Sequence, residues 1–458
     1  MDTGVVKKLY AAMPRAVRRA GSGILHHALI SNRIFVEQYR ECERAKCLSV
    51  DEQACLQREK LLKMLRFANS NVAYYHELFN SAGFDVSSPR CIEHLGALPL
   101  LTKKTIRERF DDMQAPAVAS YYRATTGGSS GVPLAINLET SSLYRERAFV
   151  YSYWARFGYD YRTNRLATFR GIDFDGHITK EDPLYASLLL NPFMLTERTL
   201  PEYVDAIDSY GCDFMQGYPS AVRNFCRLIE GSGIKPKKPF RGVFFISENV
   251  EPNTAEYISS VLGCSCHAFY GHSERAVLAE QRGPDDGYIF NSQYGYTELI
   301  EHEDGNVVCT GFLSRRMPLI RYAVDDYASA SSDGTYRIEG HHSGTALVGA
   351  NGERVTQTAL NFHGDEFTPA NGGYQLVQDR AGEAECRVLA SRELTEGELN
   401  AMGRALRSKT GDAICWHVVQ GVPFELTGRG KVSTIVQKMA SAELKSEKPE
   451  GKDGQKLE

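Results

Sequence analysis

The sequence predicts an α/β protein: a large N-terminal domain of mixed sheets with helices, a small antiparallel β subdomain inside it, and a small C-terminal α+β domain. Three observations carry that expectation. Short apolar runs at Leu166–Phe169 and Gly242–Ile246 alternate with helical patterns at Pro201–Tyr210, Ser220–Glu230 and Asn253–Leu262, as strands joined by crossover helices do. After residue 285 the runs Tyr288–Phe290, Tyr296–Ile300, Val307–Thr310, Leu319–Tyr322 and Tyr336–Ile338 stand between Gly, Asp and Asn turns, which predicts an antiparallel subdomain or small barrel. Beyond Gly340, strands at Tyr374–Val377, Ala384–Leu389 and Ile414–Val419 surround a helix opened by the capping box Thr395-Glu-Gly-Glu398.

The divisions follow. Residues 1–94 form the helical start of the large domain, 95–339 its remainder, and 340–440 the small domain. Residues 441–458 hold Lys, Glu, Gly and Pro with almost nothing apolar to bury, and read as a disordered tail. Within the large domain, Leu56, Leu61, Leu62, Leu65 and Phe67 recur near the helical period, so 51–80 is expected as one helix. Thr102 caps a helix starting at Lys103, and Ser141 to Phe157 is a helix dense in aromatics. Tyr151, Tyr153, Trp154, Phe169, Phe214 and Tyr218 are expected mostly in the core.

Composition narrows function by exclusion. The 458 residues carry 53 Lys and Arg against 57 Asp and Glu, a net charge of −4, so no basic excess invites nucleic acid. Eleven cysteines, an odd number scattered along a long chain, fit a reducing cytoplasm better than a disulfide scaffold. Cys264-Ser-Cys266 reads as buried small hydrophobes rather than a zinc pair. The basic N-terminal stretch, with Lys7, Lys8, Arg15, Arg18 and Arg19, has no apolar run long enough to span a bilayer. It is read as a helix capping the first domain, with a membrane-surface helix as the alternative.

The strongest local signal is Ala124-Thr-Thr-Gly-Gly-Ser-Ser-Gly-Val-Pro-Leu134. Hydroxyls from Thr125, Thr126, Ser129 and Ser130, with Gly127, Gly128 and Gly131 freeing the backbone N–H groups, suit a polyphosphate; a Gly-Ser linker is the alternative. It is no Walker loop, because no Lys-Ser/Thr follows the last glycine and Pro133 precedes a strand pattern.

That loop resembles the phosphate loop of the adenylate-forming, AMP-binding enzymes. Phe269-Tyr-Gly-His-Ser-Glu274 resembles their Y-G-x-[ST]-E motif, and Met317-Pro-Leu-Ile-Arg-Tyr-Ala-Val-Asp-Asp-Tyr327 resembles P-L-I-R-Y-x-T-G-D. Gln216-Gly-Tyr-Pro-Ser220, Ser247-Glu248 and Gly428-Arg-Gly-Lys431 follow in the family's order. The nearest branch is the phenylacetate–coenzyme A ligase group and its capsule-biosynthesis relatives, with similarity from about Leu95 to Lys438.

The resemblance implies a mobile small domain, ATP and Mg²⁺, and a carboxylic acid activated as its acyl-adenylate before transfer to coenzyme A. It implies nucleotide contacts from Thr126, Gly127, Gly128, Ser129, Ser130, Gly131, Ser247, Glu248, Tyr270, Gly271, Ser273 and Asp326. Tyr270 would stack on adenine, and Asp326 would accept from the ribose hydroxyls. Glu274 would hold Mg²⁺; the rival reading is first-turn helix charge, with Ser273 the N-cap of a helix through Arg-Ala-Val-Leu-Ala-Glu. Lys431 would meet the carboxylate and α-phosphate, against a plain solvent-facing lysine. Gly217, Tyr218 and Pro219 would lie nearest the acyl group.

Two departures stand out. Asp325 replaces the usual glycine, adding charge and removing a residue that tolerates positive φ, and His341 stands where the family's hinge often has arginine. The altered hinge keeps an amine or hydroxyl acceptor as the alternative to coenzyme A, and a non-catalytic nucleotide-binding homologue as the third reading. A homodimer is left open.

Overall fold

The structure is a computed structural model. It describes residues 24–126, 134–172, 174–248, 250, 254–283, 287–302, 305–338, 346–355, 360, 365–367, 369–370, 373–390, 392–425 and 434–439. The described residues fall into two compact units, the larger ending at Ile338 and the smaller beginning at Ala346.

Helices open the larger unit. After helical residues 24–30 come α1 (Arg33–Ala45), α2 (Val50–Asn71) and α3 (Ala73–Ser81). Asn32 caps α1, and Ser49 with Glu52 forms a reciprocal capping box on α2. The single helix expected over 51–80 is therefore two. Val72 breaks it by taking an extended backbone at φ −127°, ψ 114°, which buries its branched side chain. The N–H of Tyr74 then leaves the helical ladder for the carbonyl of Asp112 at 3.1 Å. Thr102 caps the short α4 (Lys103–Glu108) through Thr105 N–H, as the sequence predicts.

A hairpin of β1 (Tyr121–Thr126) and β2 (Leu134–Glu139) leads into α5 (Ser141–Ala155), which packs along α1. The main sheet has ten strands. Its parallel centre runs β5 (Ser187–Leu190), β3 (Leu166–Phe169), β6 (Phe214–Gly217), β7 (Val243–Phe245) and β8 (Cys266–Gly271). Helices α6 (Leu200–Tyr210), α7 (Pro219–Ser232) and α8 (Thr254–Leu262) make the crossovers. All four residues of β3 are buried, as expected of a parallel strand covered on both faces.

Antiparallel strands extend both edges. β4 (Thr179–Asp182) pairs with β5 on one side. On the other side, β9 (Leu278–Gln281), β10 (Tyr288–Phe290), β15 (Tyr336–Ile338) and β14 (Ala328–Ala330) continue from β8. The antiparallel subdomain expected after residue 285 is thus smaller than the sequence suggested. Only β11 (Gly295–His302), β12 (Gly305–Gly311) and β13 (Tyr322–Ala323) form a separate three-stranded sheet. The expected strand Leu319–Tyr322 shrinks to its end because Arg321 takes φ 50°, outside the strand region.

In the smaller unit, β16 (Leu347–Val348) and β17 (Arg354–Val355) make a short hairpin, while β18 (Gly373–Arg380) and β19 (Glu383–Leu389) form an antiparallel pair, flanked in parallel by β21 (Ile435–Gln437) and β20 (Cys415–Gln420). Helix α9 (Glu396–Thr410) packs on β20 and opens with the Thr395–Glu398 capping box in both directions. Gln378 is fully buried and closes its hydrogen bonds on the N–H and carbonyl of Val348.

Aromatics fill the core beneath the parallel strands. Tyr151, Tyr153, Trp154 and Phe214 are all buried there, with Trp154 stacked on Phe244 at 4.5 Å. At the edge of this core His267 on β8 is 3% exposed, lies flat on Phe157 at 3.4 Å between centroids, and meets Ser265 Oγ at 2.8 Å. Burial, helped by Arg156, holds its pKa down to about 4. The unfolded chain takes up this proton near the usual 6.5, before the native ring does. Stability from the neutral ring is therefore complete above pH 6.5 and lost as pH falls toward 4, by up to about 3 kcal/mol. Relative to His267→Phe, the wild-type protein should lose stability by that order between pH 7 and pH 4 in urea titrations. Parallel profiles for the two proteins would show that His267 is not the titrating group.

Candidate functional site

The parallel strands β5, β3, β6, β7 and β8 all end on one edge of the sheet, the place where α/β sheets hold ligands. Three of those ends carry residues singled out from the sequence: Gly217 and Tyr218 at the end of β6, Ser247 and Glu248 after β7, Tyr270 and Gly271 on β8. At β6, a Cβ on residue 217 would sit 2.9 Å from Phe169 Cβ and 3.1 Å from Val222 Cγ2, so the two parallel strands approach closely only over a glycine. Tyr218 is buried, and its hydroxyl accepts the N–H of Gly171 at 3.2 Å, tying the exits of β3 and β6 together. Pro219 is the first residue of α7, where its missing N–H costs nothing.

Ser247 turns the chain out of β7 in the left-handed region, at φ 64°. A non-glycine residue held there is strained by about 1–3 kcal/mol and is worth noting beside a site. Glu248 Oε2 accepts the backbone N–H of Ser220 at 3.3 Å, at the start of α7. A carboxylate there is favoured by the helix N-terminus.

The most elaborate part is the turn between β8 and β9. The pairing of Phe269, Tyr270 and Gly271 with Glu280, Ala279 and Leu278 makes residues 278–281 a strand. The helix expected to follow Ser273 is therefore absent, and Ser273 is no N-cap. Pairing with β8 overrides the helical propensity of this short run. The first-turn reading of Glu274 falls with it. Arg275 takes φ 54°, and its guanidinium bonds Glu146 at 2.7 Å and Ser142 Oγ at 2.9 Å, fixing the turn to α5.

Two acids meet at this turn. Glu274 is 8% exposed and accepts from the hydroxyl of Tyr322 at 3.0 Å. Asp326, also 8% exposed, accepts on one oxygen, Oδ2, both the Tyr270 hydroxyl and His272 Nε2, each at 2.7 Å. Burial and the neighbouring carboxylates push the Tyr270 and Tyr322 phenols well up, so both stay protonated donors. For His272, burial lowers the pKa but the bond to Asp326 and the charges of Asp326 and Glu274 outweigh it, and the net shift is upward.

Glycines admit these groups. A Cβ on Gly305 would fall 2.4 Å from the carbonyl oxygen of Asp326, and those on Gly295 and Gly311 would strike Ala276 at 2.5 and 2.8 Å. Gly295 and Gly311 face each other across β11 and β12, so the small sheet is pressed against the turn at one bare patch.

Asp325 pairs with Lys103 at the start of α4, with side chains 16% and 19% exposed. Its backbone is not in the left-handed region, so the loss of glycine at this position strains nothing. Lys103, His272 and Tyr322 are the members of this cluster that the sequence reading did not single out. His272 occupies the variable place of its motif, Lys103 stands in no motif, and Tyr322 was only part of one. Thr126 ends β1 opposite Leu134. Gly127, Gly128, Ser129, Ser130, Gly131, His341 and Lys431 lie outside the described residues. Among the described residues no three ligating side chains gather to hold a metal, and no helix is long and apolar enough to cross a membrane.

Comparison with known proteins gives the fold a relative. No family model matches the chain. It is 20% identical over 316 residues to Protein CapK of Staphylococcus aureus, covering 65% of this chain and 68% of that protein. It is similar to 2-hydroxyisobutyryl-CoA ligase in complex with 2-HIB-AMP and CoA in the thioesterification state, with TM-score 0.54, 15% identity and 86% and 91% of the two chains covered. The same ligase in its postadenylation state with 2-HIB-AMP matches with TM-score 0.52 at 15% identity, over 87% and 92%. The chain has the fold of the adenylate-forming acyl-CoA ligases.

Proposed function

We propose that this protein activates a carboxylic acid with ATP as an acyl-adenylate and transfers the acyl group to coenzyme A. The observation that carries the reading is the pair of buried acids at the β8 exit, Glu274 and Asp326, each already supplied with protein donors. Asp326 offers a fixed carboxylate to vicinal ribose hydroxyls, and Tyr270 brings a ring beside it for the adenine. Glu274 fits a hard cation bound through one protein carboxylate, phosphate oxygens and water, which is how Mg²⁺ prefers to be held. Bound there, Mg²⁺ would neutralise charge on the triphosphate.

Thr126, Gly127, Gly128, Ser129, Ser130 and Gly131 are assigned to the phosphates, Ser247, Glu248, Gly271 and Ser273 to the nucleotide's surroundings, and Gly217, Tyr218 and Pro219 to the acyl group. In the first step a substrate carboxylate oxygen bonds the α-phosphorus and the bond to pyrophosphate breaks. Lys431 would stabilise the charge that builds on the α-phosphate oxygens. In the second step the thiol sulfur bonds the acyl carbon, its proton departs to solvent, and AMP leaves. The solved relatives, crystallised with 2-HIB-AMP and CoA, support both steps. An amine or hydroxyl acceptor is the second reading, favoured by His341 in place of the hinge arginine and by the sequence resemblance to the capsule-biosynthesis branch.

ATP–pyrophosphate exchange over a panel of aryl, fatty, amino and sugar acids tests adenylation, and adding coenzyme A or amines to the active acid separates the acceptors. Complete absence of exchange would leave only nucleotide binding. Lys431→Ala should lower exchange by about two to three orders of magnitude with ATP binding nearly unchanged. Exchange at the wild-type rate would remove Lys431 from the chemistry.

The reading also requires Asp325 not to disturb its neighbour, and Lys103 meets that need by neutralising it. Lys103→Met should cost about 1–3 kcal/mol, since a largely buried carboxylate loses the Lys103 charge. Adding Asp325→Gly should recover most of this, a coupling of about 1 kcal/mol or more in urea unfolding. Strictly additive effects would show the pair to be energetically idle.

A further inference from the structure

We propose that His272 is a positioning residue for Asp326: its imidazole N–H, together with the Tyr270 hydroxyl, fixes the rotation of the carboxylate that would read the ribose. The inference rests on the adenylation reading of the site and adds to it a residue that no motif names.

The geometry is specific. Tyr270 lies on β8 and His272 is the first residue beyond it, so the two side chains leave the chain two residues apart at the exit of the strand. They converge on one atom, Asp326 Oδ2, at 2.7 Å each. The acceptor is a carboxylate, so His272 Nε2 must be the N–H donor. One donor leaves a carboxylate free to swing about its Cβ–Cγ bond, whose torsion has only broad wells. Two donors arriving from different side chains hold its plane. The imidazole is itself held, edge to face against the Tyr270 ring at 4.8 Å between centroids. Asp326 is further anchored through its backbone, whose carbonyl accepts the N–H groups of Asn306 and Val307 at 3.0 and 3.2 Å. With main chain and side chain both fixed, the carboxylate presents its remaining lone pairs in one set direction, as recognition of a vicinal diol requires. An apolar side chain at 272 would remove one of the two donors on Asp326 Oδ2.

The test compares His272→Leu, which removes the donor, with His272→Gln, whose amide N–H reaches about as far as Nε2. In ATP–pyrophosphate exchange with an active acid, His272→Leu should raise KM for ATP about tenfold or more and change kcat less than about threefold. Its preference for ATP over 2′-deoxy-ATP and 3′-deoxy-ATP should shrink, and His272→Gln should restore both. Equilibrium binding of AMP against 2′-deoxy-AMP gives the same comparison without turnover. If His272→Leu does not fold, His272→Asn, whose amide is too short to reach, replaces it. Wild-type KM and wild-type deoxy discrimination in the donor-less variant would overturn the positioning role while leaving adenylation standing. No exchange and no AMP binding by the wild-type protein would overturn both.

Discussion

A buried carboxylate must be given hydrogen-bond donors, and the demand made by Asp326 organises this end of the molecule. Left without donors at 8% exposure, its charge would cost several kcal/mol. Tyr270 answers from β8 and His272 from the turn just beyond it, and in doing so they stitch the end of the main sheet to the segment that follows β13. Glu274 repeats the arrangement one turn later with Tyr322. Two acids and their donors thus cross-link two sheets, and the glycines at 295 and 311 stand where the small sheet touches the β8–β9 turn without side chains between them. Rigidity here follows from satisfying charge.

A second buried charge does the complementary work on the outer side. Arg321, 4% exposed, sits in the segment that resembles a nucleotide motif, yet its guanidinium points to structure. It bonds Glu298 at 3.2 Å, the carbonyl of Gly96 at 3.1 Å and that of Leu98. Those carbonyls end the 3₁₀ stretch Pro89–Ala97, so the arginine closes orphan acceptors while Glu298 balances its charge. The backbone turns left-handed at Arg321 to make this possible. That turn is why the β strand expected there is cut to Tyr322–Ala323, and why Tyr322 is free to aim at Glu274.

The parts of this fold written in local pattern could be read directly. Two of the parallel strands, β3 and β7, the crossover helices and the Thr395 capping box are periodic or rule-bound, and their positions agree with expectation within a residue or two. What failed depended on partners far along the chain. The break at Val72 follows from Tyr74 bonding Asp112, and the strand at 278–281 exists because β8 lies beside it. In the site, Asp326, Glu274 and Tyr270 are visible because they fill invariant places in a motif. His272 fills a variable place, and Lys103 belongs to no motif at all, so only three-dimensional proximity identifies them.

Asp325 shows how such departures should be weighed. Taken from the sequence alone, an acid in place of glycine threatens the site twice, through backbone strain and through repulsion of its neighbour Asp326. Neither threat is realised. The backbone there needs no left-handed residue, and Lys103 supplies the opposite charge at close range. Lys103 can do so because Thr102 starts a helix at that point and the bridge from Leu101 to Tyr322 holds this segment beside β13. A substitution that looks like decay is thus one half of an ion pair whose other half lies 222 residues earlier. The departure therefore leaves this end of the structure neither strained in its backbone nor burdened with an uncompensated charge, because the ion pair supplies its own balance.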